Sequence, residues 1–177
     1  MRTVAAFMLL MTAGVLQGES AAGVQWKAPS GWVSEPPRPM RAATYDIPGP
    51  RDSPEHSQCV VYFFGANQGG TVEANLTRWK SQMLGSDGKE AVAKVQTRTI
   101  HGLRMTTIDT SGTYTGMGGP MAATPVKPAP GYRLLGAIVE APGGELFIKF
   151  AGRSGLVGAA AHDFEMLLDS FAPDAHR

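Results

Sequence analysis

A single cysteine, Cys59, serves the whole 177-residue chain, so no internal disulfide can staple it and apolar packing must carry its stability. Charge of one sign is also lacking. Sixteen Lys and Arg stand against fifteen Asp and Glu, which leaves no footprint for nucleic acid or for an anionic membrane. The uncharged apolar run at residues 4–16 is too short to span a bilayer, which takes roughly 20 residues. Sites of known pattern are missing as well. The turn Gly65-Ala-Asn-Gln-Gly-Gly-Thr71 has neither the Gly-Lys-Ser/Thr ending of a P-loop nor the G-x-G-x-x-G spacing, and a tight turn explains its glycines as well as an anion site does. No G-x-S-x-G elbow occurs. His56 and Cys59 make only two ligands of a metal set, and His162 beside Asp163 is not an i, i+4 pair. The carboxylates Glu73, Asp109, Glu140 and Glu145 are scattered, with nothing to place two across a cleft. No cofactor, metal or catalytic residue is expected.

What is present begins with a leader. Arg2 precedes the apolar run, and Ser20 and Ala22 put small residues at the −3 and −1 positions, so residues 1–22 read as a signal peptide cleaved before Gly23. No cysteine lies there for lipid attachment. Residues 23–177 then make one domain of ordinary size, exported to the periplasm or the extracellular space, with no stable membrane insertion after cleavage.

That domain is organised around residues 58–84. The apolar run at 58–64 reads as a buried strand with Cys59 inward, the glycine turn follows, and Thr71 is placed to cap a helix. Val72, Leu76, Trp79 and Met83 share one face of that helix. Asn75-Leu-Thr77 inside it is formally a glycosylation sequon.

Upstream, two short extended pieces flank Pro29-Ser-Gly31, the second confined to a sheet edge by Pro36, Pro37 and Pro39, and residues 40–47 form a strand. Downstream come two hairpins. Residues 92–100 and 103–115 join at His101-Gly102, with one wet face on the first strand and a bulge near Thr106 or Thr107, where the apolar phase shifts. Residues 132–141 and 145–152 flank Pro142-Gly-Gly144. A last helix carries Leu156, Ala160, Phe164, Leu167 and Phe171 on one face and stops at Pro173. The fold class is therefore α+β, an antiparallel sheet with two main helices.

Between the hairpins lies a loop at residues 116–131, long for a compact domain and of the kind that carries function. Tyr114, Tyr132 and Arg133 stand at its roots and Lys127 within it; with Trp32 these are the candidate binding residues. Arg98, Arg104, Arg133 and Lys149 might be thought a basic strip, but nearby carboxylates favour a solvated, balanced face.

Several short motifs carry a resemblance. Trp26-x-x-Pro29-x-Gly31-Trp32, the strands and the two helices resemble the PsbP-like fold of the photosystem II extrinsic subunit, a Ran-binding nuclear import factor and envelope proteins of the DcrB type. With Tyr62 to Gly65 and Gly69, Gly70, Val72 and Asn75, they also resemble an exported bacterial family of unknown function. The resemblance implies an antiparallel sheet sandwiched by helices, α/β/α, and carries no catalytic residue over. Together these readings describe a non-catalytic binding or accessory protein of the cell envelope, with a protein partner or small ligand and no nucleic acid. The alternative is a small secreted hydrolase whose site is assembled from dispersed residues.

Overall fold

The structure, a computed structural model, describes residues 19–50, 54–116 and 127–174. Its centre is an eight-stranded antiparallel sheet. The apolar run becomes strand β5 (His56–Phe63), enclosed between β4 (Arg41–Pro48) and β10 (Gly144–Arg153), as a strand that is apolar on both faces requires. Beyond β10 lie β9 (Ala129–Ala141) and β8 (Leu103–Tyr114). The two-residue β3 (Val33–Ser34) edges the sheet beside β4, while β6 (Met83–Leu84) and β7 (Ala93–Ile100) both pair with β8 at the opposite edge. A separate small sheet orders β1 (Glu19–Ala21), β2 (Val24–Trp26) and β11 (Ala172–Pro173).

The turns follow their residues. His101 and Gly102 take φ of 48° and 81°, the pair of positive angles a two-residue hairpin wants, and the His101 ring is anchored 2.8 Å from the Phe171 carbonyl oxygen. Thr71 caps helix α1 (Val72–Lys80) by accepting from the Ala74 N–H at 3.2 Å. Asn75, almost fully buried, donates its amide to the Gly69 and Thr71 carbonyls at 2.9 Å each, and so ties the helix to the glycine turn. The sequon asparagine is thus a packing residue.

Pleating divides the apolar residues between two cores. On the front face Cys59, Val61, Leu135, Ala137, Ile148 and Phe150 pack against the small sheet and two C-terminal helices, α2 (Ser154–Ala159) and α3 (Ala161–Asp169). Full burial pushes the Cys59 thiol far up, so it is inert packing. On the back face Ile108, Leu134, Ile138 and Phe147 lie under Trp79 of α1 and Met83 of β6.

Four expectations change. The fold is mostly antiparallel sheet with three helices of nine, six and nine residues, so sheet predominates over helical cover. The last helix is two: Ala160 leaves helical geometry at φ −96° and ψ 9°, after a segment weakened by Gly155 and Gly158, and the inward residue of the first part is Val157 rather than Leu156. No bulge occurs at Thr106 or Thr107; pairing with β7 runs unbroken from Leu103 to Thr110, and the irregularity falls between Gly112 and Tyr114. The apolar phase can switch without a bulge because both faces of β8 are covered, Met105 in front and Ile108 behind. Finally, β7 is exposed on both faces, not one.

The expected cleavage point before Gly23 falls in the β1–β2 turn, where Ala22 and Gly23 take φ of 55° and 76°. Among the described residues no helix is long and apolar enough to cross a membrane.

Candidate binding surface

Tyr114 and Tyr132 face each other from neighbouring strands at the back of the sheet. Their rings stack at 5.8 Å with planes 8° apart, and the chain between them includes residues 117–126, which lie outside the described residues. Into this pair reaches Lys149 of β10. Because Ile148 and Phe150 point forward, the pleat sends Lys149 to the back, opposite Gly136 and beside the end of α1. Its Nζ donates to Gln82 Oε1 at 2.6 Å and to the Tyr114 hydroxyl at 3.1 Å. Gln82 is itself buried, and its backbone carbonyl accepts from the Thr115 N–H at 2.9 Å and the Thr115 hydroxyl at 3.2 Å.

Burial pulls the Lys149 pKa down to about 8, with the positive charge of Arg78 adding to the effect. Burial likewise pushes the Tyr114 hydroxyl up, helped by Tyr62 and Tyr132. Lys149 has no ion-pair partner among the described residues. Its partners are all neutral: the Gln82 and Tyr114 oxygens and the face of the Tyr114 ring, whose centroid lies 5.2 Å from Nζ.

Tyr132 also lines a neighbouring cleft of about 430 Å³ with Asp46, His56, Gln58, Ala151 and Arg153. There Asp46 Oδ2 stands 2.7 Å from His56 Nδ1, and Arg153 Nε stands 2.8 Å from Glu55 Oε1. Ser57 also lines this cleft, and its Cβ lies beside Gly152.

The five candidate residues are therefore not one site. Tyr114 and Tyr132 come together. Arg133 points to the front, where it holds Asp109 in a two-pronged ion pair at 2.9 and 2.8 Å that pushes its own pKa up, and it lines a cleft with His162 and Glu165 of α3. Trp32 is buried at the front against Tyr45 and Phe150 at 5.6 and 5.8 Å. Lys127 is exposed just before β9. The supposed strip divides too: Arg98 pairs with Glu165 of α3 at 2.5 Å, and Arg104 with Glu140 at 3.5 Å.

Sequence reasoning weighed Lys149 only as part of a basic strip and did not find the Asp46–His56 pair. The signal for Lys149 was there, a lone charge inside Glu145-Leu-Phe-Ile-Lys-Phe150 in phase with Phe147. Nothing local announces the pair, which forms only when β4 and β5 align Asp46 opposite Gln58. Among the described residues no group of three His, Cys, Asp or Glu side chains is placed to hold a metal ion.

No protein-family model matches the chain, and no curated protein does. Among solved structures, cyanobacterial PsbP from Synechocystis sp. PCC 6803 is similar over 94% of this chain and 98% of its own, with a TM-score of 0.53 and 11% identity. The fold is PsbP-like. A Pseudomonas aeruginosa protein of unknown function, PA94, matches over 74% of this chain and 81% of its own at a TM-score of 0.49 and 13% identity. At such identities the likeness speaks for the PsbP-like architecture alone.

Proposed function

We propose that this chain is an exported, non-catalytic binding or accessory protein of the cell envelope, its PsbP-like sheet layered between helices. Its working surface is the back face around Lys149, Tyr114 and Tyr132, where β8 and β9 lead to and from residues 117–126. The observation that carries the reading is the environment of Lys149, a largely buried cation held by neutral oxygens and an aromatic face with no counter-charge among the described residues. Desolvating a charge without a counter-charge costs stability, and groups held at such a cost concentrate where proteins bind or react. The leader-like residues 1–22 and the PsbP-like fold support export.

The test is affinity capture of proteins and small molecules from the cell envelope with the parent chain, Lys149→Met, Tyr132→Ala, and a deletion of residues 117–126. Loss of the captured species in the two point variants, with melting temperature retained, is the expected result. Capture undiminished in both would end the reading.

A hydrolase is the second reading, favoured by the Asp46–His56 pair opening into the cleft beside Tyr132. With Nδ1 protonated toward Asp46, the other ring nitrogen is free to take a proton from water. The reading expects His56→Gln to lower hydrolysis of a small ester panel by roughly 10² or more, leaving capture untouched. No hydrolysis by the parent chain would dismiss it.

A further inference from the structure

We infer that the leader is removed at or before the Gly18–Glu19 bond, so that the exported chain keeps Glu19 and the strand it opens. The inference rests on the export reading and concerns where the leader ends. Small residues at Ser20 and Ala22 point to cleavage before Gly23. Whichever bond is cut, the exported chain must still complete its structure, so the boundary is judged by what the remaining chain retains.

A chain that starts at Gly23 lacks parts the fold uses. The Glu19 carboxylate accepts from Trp26 Nε1 at 3.2 Å, from Ser34 Oγ at 3.3 Å and from the Tyr45 hydroxyl. Tyr45 is fully buried, and its oxygen already accepts from Trp26 Nε1 at 2.8 Å. Removing Glu19 therefore strands the tyrosine proton without its acceptor, the costly way to break a buried hydrogen bond. Trp26 cannot take its place, because an indole N–H only donates, and its ring is held by stacking on Phe171 at 5.0 Å with planes 13° apart.

The backbone makes the same demand. Glu19, Ser20 and Ala21 pair with Trp26, Gln25 and Val24, and without them β2 keeps only its two-residue match to β11. The Ala22 carbonyl accepts from the Gly143 N–H at 2.7 Å, across an approach so close that a Cβ on Gly143 would lie 2.7 Å from that oxygen. The β9–β10 turn is thus shaped around Ala22, and each of residues 19–22 has a structural task. Upstream, Gly18 supplies a small residue at −1, one residue past the apolar run, with Leu16 at −3.

The full chain is expressed in a bacterial host and the exported product's N-terminus is read by intact mass. A product beginning at Glu19 or slightly earlier is expected. One beginning at Gly23 overturns the inference, whereas an unprocessed chain confined to the cytoplasm overturns the export reading instead. A second measurement needs no host. Chains 19–177 and 23–177 are refolded and melted, the shorter expected to melt roughly 5–10 °C lower, with Glu19→Ala reproducing part of the drop and Glu19→Gln recovering it. Equal melting temperatures for the two chains would refute the inference.

Discussion

Lys149 makes the protein's stability depend on alkaline pH in an unusual direction. Its folded pKa is about 8 against an ordinary 10.5, so between those values the unfolded chain holds a proton that the folded chain has released. Its contribution to stability therefore rises with pH through that window and is flat below it. The Cys59 thiol and the Tyr45 and Tyr114 hydroxyls, all held up by burial, act in the opposite sense, the thiol from about its ordinary value of 9.0 and the tyrosines from about 10.0. Between pH 7.5 and 9.5 Lys149 should contribute about 2 kcal/mol in favour of the higher pH, and the buried Cys59 thiol should offset about 1 kcal/mol of it. Denaturant unfolding of a Cys59→Ala chain should therefore show the full gain, and adding Lys149→Met should erase it. A slope that survives in the variant would mean that another group is responsible. At pH 7 the same substitution removes a buried charge, so the variant should be no less stable than the parent, provided that Gln82 and Tyr114 keep water or each other as partners.

At the scale of elements, the seat of α1 is set by a missing side chain. A Cβ on Gly136 would lie 2.7 Å from the Trp79 ring and 2.8 Å from Ile108, so Gly136→Ala should destabilise by about 1–3 kcal/mol, read by denaturant midpoint. Loss of the Thr71 cap in Thr71→Ala should cost about 0.5–2 kcal/mol by the same measurement. Thr71 belongs to the stretch the sequence made most legible, residues 58–84. Local signals marked the strand at 58–64, the Thr71 cap and the His101-Gly102 and Pro142-Gly143 turns, because each depends on neighbours within a few residues. The break at Ala160 was less legible, since an apolar stripe from Leu156 to Phe171 reads the same with or without it. Facing was hidden for another reason. Arg133 and Lys149 look alike in sequence, yet register and pleat send one to Asp109 in front and the other to Tyr114 behind. Trp32 was misleading in the opposite way: a large aromatic near loops turned out to be wedged between Tyr45 and Phe150.

For the whole molecule, the PsbP-like architecture was foreshadowed by the resemblance that Trp26-x-x-Pro29-x-Gly31-Trp32 and the succession of strands and helices carry, while the candidate surface was only half visible, through Tyr114 and Tyr132. The topology leaves one further matter. β8 shares its outer side between the two-residue β6 and the eight-residue β7, and β7 has no strand beyond it among the described residues. An open edge of that length is a template on which a second molecule can add its own strand, and exposed charge is how natural sheets prevent it. Here Lys94 and Arg98 stand on β7, the latter tethered to Glu165 and Asp169 of α3. Replacing both by valine should leave the monomer folded yet make it self-associate, seen as rising light scattering with concentration. Those two cations are then guards of solubility, keeping the protein from growing into fibres along its own sheet.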